Sequence, residues 1–290
     1  MAIKYIVTHY APDLDAIGSC WLLKRFNQQE HQQAQFYFVN PGEKMTSEQA
    51  DQLRVTLDEV THVDTGLGKF DHHQPDRALL KVCASSLVYD HLCQLQPALK
   101  QDTALKLLVD YITEIDLFQE IHWPDAASIR YTMMLHELIR GHELVDPQND
   151  LIQLEFGFKC LDCGYQMIKQ TIQANQQIEK LGVQFQITAG PGIALETSNE
   201  EVIKQAQKMG FLIVLRKDPQ LGHIRIKIRP DTTFDLQSLY EAIKQRDKEG
   251  SWFYHPGGKM LLNGSLKHRN QKPSSLTLSD TIALIKQVYG

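Results

Sequence analysis

The chain has 290 residues, 30 Lys and Arg against 35 Asp and Glu, and 42% hydrophobic residues. That length allows one large or two ordinary domains, and that apolar content suffices for real cores. No run of about 18 apolar residues occurs and the net charge is −5, so neither a membrane span nor a long duplex-binding surface is expected.

The N-terminus enters a strand at once, without a basic-then-apolar leader, so no secretory signal is expected. Five cysteines are an odd number for a disulfide framework and point to a reducing compartment, the cytoplasm. Residues 3–8, 35–40, 59–63 and 69–70 read as short strands. Acid and imidazole segments follow three of them: residues 8–19 (THYAPDLDAIGS), 63–66 (VDTG) and 70–74 (FDHHQ). Ligands of an open α/β sheet gather beyond the carboxyl ends of its strands, so these segments are expected to converge on one crevice. A helix follows Asp15, with Ile17, Trp21, Leu22, Leu23 and Phe26 as its apolar face. Asp13 or Asp15 can also simply cap that helix near Ala16.

His9, Asp13, Asp15, Asp64 and His72 are hard oxygen and borderline nitrogen donors, with no thiolate among them. Such a set suits Mn²⁺ or Mg²⁺, with Co²⁺ or Zn²⁺ as substitutes. Asp13 and Asp15 are two apart, so on a short extended turn they face different sides and can serve different metals. Asp64 is the candidate bridging carboxylate. Two cations about 3.5–4 Å apart clamp the attacking and leaving oxygens of a phosphoryl displacement.

Further on, Ser85-Ser86 can cap a helix running to Leu95. Residues 99–181 read as almost wholly helical, broken at Pro124, Gly141 and Pro147. Within residues 107–120 (LLVDYITEIDLFQE) Leu108, Ile112, Ile115 and Phe118 have helical spacing, and Asp110, Glu114 and Asp116 are the acids on offer. His136-Glu137 with His142 is not a metalloprotease motif, because Arg140 stands where the second His belongs. It reads as a helix face with a polar end near Gly141. Cys160 and Cys163 form a C-x-x-C without a second pair and read as half-buried helix cysteines. The helix over 150–181, Gln-rich at 170–177, reads as a linker between domains 1–180 and 182–290.

In the second domain residues 184–188, 192–196, 211–216 and 223–229 read as strands, and 200–209 and 236–248 as helices. The predicted fold class is therefore α/β: a parallel-sheet domain with a helical extension, then a smaller mixed α/β domain. Residues 1–180 carry a net −10 and residues 181–290 a net +5. An acidic half that collects cations, joined to a basic half that collects phosphates, suits a metal-dependent enzyme acting on small anionic substrates.

These segments resemble the DHH phosphoesterase superfamily. Its first motif, His-x-x-x-Asp-x-Asp-Ala-Ile-Gly-Ser, is complete over residues 9–19; Asp64 matches the second, and Asp71-His72-His73 the third. The resemblance is strong over residues 3–75. It implies a water-activating pair of divalent cations, Mn²⁺ first with Mg²⁺ or Co²⁺ as alternatives. His9, Asp13 and Asp64 then hold one metal, and Asp15, Asp64 and His72 the other. Asp116 completes the second set, with Asp110 as the alternative. Asp64 and His73 are the implied catalytic residues, His73 as a substrate-phosphate contact or acid. Asp71 is a partner that orients an imidazole.

Residues 224–265 resemble, more loosely, the accessory domain called DHHA1, in which a strand ending in Arg precedes a helix and a glycine-rich loop. Here the strand ends in Arg229 and the loop is residues 252–259 (WFYHPGGK). The implied substrate contacts are His73, Arg229, His255, Gly257, Gly258 and Lys259. Glycine backbone can turn N–H groups toward a phosphate, Arg229 can bind it bidentately, and Lys259 can hold it as a point charge. The chain departs from the family by placing Lys259 after the glycines and His255 before them. Trp252, Phe253 and Tyr254 offer either a base-stacking platform or core packing, with at least one expected in the core.

The implied activity is Mn-dependent hydrolysis of short single-stranded oligonucleotides or small nucleotide phosphoesters in an interdomain cleft, by a monomer or homodimer. An inorganic pyrophosphatase or exopolyphosphatase is the first alternative; it would want several Lys and Arg at the cleft and no aromatic platform. A metal- and nucleotide-binding module without turnover is the second. A lost ligand would signal it, and no motif residue is missing.

Overall fold

The computed structural model describes residues 2–77, 79–264 and 270–290. Ser265, the last residue of the stretch that resembles the accessory domain, lies outside the described residues. The chain divides into two compact units, Met1–Ile168 and Lys169–Gly290.

The first unit opens with β1 (Tyr5–His9), α1 (Leu14–Phe26), α2 (Gln28–His31), β2 (Gln35–Val39), α3 (Ser47–Gln52) and β3 (Val60–His62). The central strand is β1, parallel to β2 on one side and to β3 on the other. Ile6, Val7 and Thr8 are wholly buried, as expected of a strand covered on both faces. Beyond β3, Val63 makes a parallel bridge to Phe70. All these segments run the same way, so His9, Asp64 and Asp71 emerge at one edge of the sheet.

Four helices follow: α4 (Ala84–Leu95), α5 (Thr103–Asp116), α6 (Leu135–Val145) and α7 (Asp150–Leu181). Their core includes Leu92, Leu105, Ile112, Ile139, Leu154 and Leu161, against Ile17, Leu22 and Leu23 of α1. The predicted break at Gly141 is absent: α6 runs through it. One interior glycine costs about 1 kcal/mol relative to Ala, which burial of Ile139 can offset. Pro124 and Pro147 do lie between helices. In α7, Cys160 is half-buried as expected, but Cys163 is exposed. Cys20, Cys83 and Cys93 are buried, and the cysteines described are all free thiols. No helix among the described residues is long and apolar enough to cross a membrane.

The division between units falls within α7, because Ala174 and Ile178 near its end pack with Ile193, Leu195, Val202 and Val214 of the second unit. That unit contains β4 (Val183–Ile187), β5 (Gly190–Glu196), α8 (Glu201–Lys208), β6 (Ile213–Lys217), β7 (Ile224–Ile228), α9 (Gln237–Arg246), β8 (Trp252–Tyr254), β9 (Met260–Asn263) and α10 (Leu278–Tyr289). Its sheet runs β4-β5-β6-β7-β9-β8, with only β5 and β6 paired in parallel. Both faces are covered. Ile213 and Leu215 of β6 enter one core and Val214 the other, the alternation a strand imposes.

The chain is thus α/β, with a parallel three-stranded sheet and a separate mixed six-stranded sheet. Two further features, in the second unit, differ from the sequence reading. The aromatic segment 252–254 is an edge strand of a hairpin rather than a loop, and residues 278–289 form a further helix.

Candidate metal centre

The first motif leaves β1 at His9 and turns into α1. Ala11 takes a left-handed backbone (φ 50), and its N–H donates to Asp150 Oδ1 at 2.6 Å. Gln153 Nε2 donates to the Pro12 carbonyl. The start of α7 therefore holds the turn from behind. Asp13 is the N-cap of α1, accepting from Asp15 N and Ala16 N at 3.0 Å each. The capping role considered from sequence is real, and it leaves Asp13 Oδ2 free of those bonds.

Asp15, in the first turn of α1, is buried. Its two oxygens accept from Ala84 N and Ser85 N, both at 2.7 Å, at the start of α4. Gly18 permits this approach: a Cβ there would lie 2.6 Å from Ser85 Oγ and 2.8 Å from Ile112 Cδ1. Asp64 also has a left-handed backbone (φ 53), held by its N–H bond to the Phe70 carbonyl. Asp71 is fully buried and accepts from Leu67 N, from His73 N and from His73 Nδ1 at 2.7 Å.

The six predicted metal ligands meet, and His73 lies beside them. His9 Nε2 is 3.3 Å from Asp64 Oδ2. His72 Nε2 is 3.4 Å from Asp64 Oδ1, 3.7 Å from Asp116 Oδ2 and 3.8 Å from Asp15 Oδ2. His9, Asp13 and Asp64 lie close enough to share one ion, as do Asp64, His72 and His73. His9 Nδ1 donates to the Tyr10 carbonyl at 2.8 Å, leaving Nε2 turned to the carboxylates, the second bond that orients a ligating imidazole. Asp116 ends α5, whereas Asp110 is exposed and paired with Lys106.

Asp64 Oδ1, His72 Nε2 and Asp116 Oδ2 are buried without hydrogen-bond partners. Buried polar atoms are rarely left so, and a divalent cation would satisfy all three.

The electrostatics agree with a cation site. Burial, with the charges of Asp64, Asp116 and Asp13, pushes the Asp15 carboxyl well above its ordinary value. Asp116 is raised to about 6 by burial, with Asp64 and Asp13 adding and His72 opposing. Desolvation and the Asp64 charge raise Asp13, against His9 and its two cap bonds. Burial opposes ionisation of Asp64 too, but His72 and His9 hold it below the usual carboxylate range. Burial alone would lower His9, yet Asp64 and Asp13 raise it to about 9. Asp64 raises His72 to about 9 against its burial, with Asp116 and Asp15 adding. On protein groups alone, protons hold the carboxylates together where cations would serve better.

The second-unit candidates gather around the end of β7 and the β8–β9 hairpin. Ile228 N bonds to the Lys259 carbonyl. Arg229 pairs with Asp231, its Nε 3.0 Å from Oδ1. Lys259 Nζ donates to the carbonyls of Thr232, at 2.5 Å, and Phe234. His255 Nδ1 accepts from Gly257 N at 3.1 Å, and Gly258 takes φ +73. Trp252 and Tyr254 pack on the core of this unit, while Phe253 is exposed.

Some neighbours of the centre were not singled out from sequence. Cys83 joins Asp15 and Asp116 in a third close group, with its thiol pushed up by burial and by Asp15. A cavity of about 370 Å³ opens on Asp13, Asp15 and Asp116, and Phe118, His136, Glu137 and Arg140 help line it. His136 and Arg140, one helical turn apart, were the available signal, but nothing local places α6 beside α5.

No family model and no curated protein matches the chain. Among solved structures it is similar to a DHH-domain member of the s1p family of ribosomal proteins, with TM-score 0.34 and 10% identity, covering 99% of this chain and 88% of that one. It is also similar to RecJ of Thermus thermophilus in complex with Mg²⁺ (TM-score 0.32, 11% identity, 98% of this chain and 49% of that one). The Mn²⁺ complex of the same protein gives TM-score 0.29 and 10% identity, over 98% of this chain and 52% of that one. The chain spans about half the length of RecJ.

Proposed function

We propose that this chain is a metal-dependent phosphoester hydrolase acting on short single-stranded oligonucleotides or small nucleotide phosphoesters. The observation that carries the reading is the set of buried, unpartnered atoms Asp64 Oδ1, His72 Nε2 and Asp116 Oδ2 at one edge of a parallel sheet. In this reading His9, Asp13 and Asp64 hold one divalent cation, and Asp15, Asp64, His72 and Asp116 the other. Oxygen and imidazole donors without thiolate suit Mn²⁺, and also Mg²⁺ or Co²⁺. Such a pair, when bound, supplies Lewis-acid activation of water and neutralises charge on phosphoryl oxygens.

The chain's own residues supply position and proton control. Asp71 fixes His73 through Nδ1, so His73 Nε2 is the atom available to a substrate phosphate or leaving oxygen. The His73 side chain is 58% exposed, in keeping with a substrate contact. Arg229 would exchange Asp231 for a substrate phosphate, a low-cost exchange for an exposed pair. Lys259 would act chiefly by holding the Thr232 and Phe234 carbonyls in place, with Gly257, Gly258 and His255 offering the nearby backbone and imidazole.

A hydrolysis panel with Mn²⁺ tests the reading: labelled di- to pentanucleotides, a cyclic dinucleotide, 3′-phosphoadenosine 5′-phosphate, pyrophosphate and polyphosphate, with Asp13→Ala as the blank. Nucleotide substrates should be consumed. Asp64→Ala should cut the rate by about 100-fold or more, since even outer partners of metal ligands cost about 10–100-fold. Undiminished turnover in Asp64→Ala would sink the shared-ligand assignment. Phosphate release from inorganic substrates alone would replace this reading with a pyrophosphatase.

A further inference from the structure

The cavity beside Asp116 has a volume of about 370 Å³, within the roughly 300–1,000 Å³ of pockets that take organic ligands. Away from the candidate ligands its lining is mixed, with Leu14, Ile115, Phe118 and Ile139 as apolar members and His136 and Gln153 among the polar ones. Its further carboxylates are Glu120, Glu137 and Glu143, and Arg140 lines the same cavity.

Phe118 stands out for two independent reasons. It lies two residues past Asp116 in a left-handed backbone conformation, φ 57. A bulky residue keeps such a conformation only where its surroundings demand it, and such outliers cluster at ligand sites. Its side chain is also 71% exposed although it borders the cavity. Of the other aromatic candidates, Phe253 is exposed but belongs to the second unit and does not line this cavity. Trp252 and Tyr254 pack on the second-unit core, and Trp123 lies between Tyr111 and Tyr131.

We propose that Phe118 is a stacking platform for the base of a nucleotide whose phosphate sits at the metal centre, and that this cavity is the base subsite. The inference rests on the phosphoester reading and narrows its substrate class. Charge argues against a phosphate chain in the same space, because Glu120, Glu137 and Glu143 would repel it. The same carboxylates can accept hydrogen bonds from the N–H groups of a base. A second chamber of about 240 Å³ shares Glu120, His136 and Glu137 and continues to Tyr131, leaving room for a neighbouring nucleotide.

The test is calorimetric binding of adenosine 5′-monophosphate, ribose 5-phosphate and tripolyphosphate to the full chain with Mn²⁺. Wild type, Phe118→Ala and Phe118→Tyr are compared. Wild type should prefer the nucleotide over ribose 5-phosphate by about 5- to 150-fold, the range for one stacked base. Phe118→Ala should bring that ratio close to one, and Phe118→Tyr should keep it. Mn²⁺ affinity, read in the same protein, should match across all three and exclude a folding defect. The proposal is overturned by no nucleotide binding, by a ratio that survives Phe118→Ala, or by tripolyphosphate binding more tightly than the nucleotide. A preserved ratio pattern without hydrolysis would reject the hydrolase reading alone. Hydrolysis of nucleotides with a ratio indifferent to Phe118 would reject the platform alone.

Discussion

Asp64 stands between two imidazoles, with His9 at 3.3 Å and His72 at 3.4 Å. In protein stripped with EDTA both imidazoles, raised to about 9, carry protons at neutral pH. Cation binding must expel them, because a ligating imidazole is neutral. Binding of Mn²⁺ at pH 7 should therefore release more than one proton per chain. Titration calorimetry in two buffers of different ionisation enthalpy reads that number, and equal heats in both would contradict it. The same shifts govern stability without metal. A raised imidazole contributes stability that is fully present below its ordinary 6.5 and is lost as pH rises through about 9. Asp116 acts in the same sense, its contribution fading as pH rises through about 6. The urea midpoint of EDTA-treated protein should fall between pH 6.5 and about 9; a midpoint that rises over this window would mean the imidazoles are not held by Asp64.

The first turn of α1 and the start of α4 are one construction. Asp15 satisfies two N–H groups that open α4, and Ser86 Oγ accepts from Cys83 N at 3.0 Å. The sequence reading gave Ser85 and Ser86 the capping role; Ser86 fills part of it, and Asp15, some 70 residues away, fills the rest. Ser85 Oγ instead donates to the Asp15 carbonyl at 3.0 Å. Gly18 lets these elements meet, so Gly18→Ala pushes a methyl into Ser85 and Ile112. Overpacking costs about 1–3 kcal/mol, while Ala for Gly returns about 1 in helix propensity. The variant should lose up to about 2 kcal/mol, read as a lower urea midpoint. A more stable variant would show that α1 and α4 are not tightly packed.

Each unit has its own sheet and core, and the candidate ligands all precede Ile168. Metal binding stabilises only what it touches and what is cooperative with it. Hydrogen exchange with and without Mn²⁺ should therefore gain protection in Met1–Ile168, most strongly around Asp64 and Asp116. Slower exchange of equal size in β6 and β7 would show the two units to be one cooperative body. The uneven charge has the same division behind it: the acids concentrate where the centre is, and the second unit carries the basic excess.

Local patterns along the chain suffice for the strand-end placement of the acid and imidazole segments, the helix after Asp15 and the α/β class, because caps, strand alternation and two-residue spacing act over a few residues. Packing between distant segments settled the rest. That Asp116 rather than Asp110 faces His72 depends on which face of α5 packs on α1. Gly141 stays helical because Ile139 is buried beneath it. Lys259 turns to two carbonyls because the β8–β9 hairpin brings it to Thr232 and Phe234. Phe118 borders a cavity only because α6 closes the far wall. Each of these is a meeting of distant residues, fixed by packing and chain closure, and no local pattern encodes it.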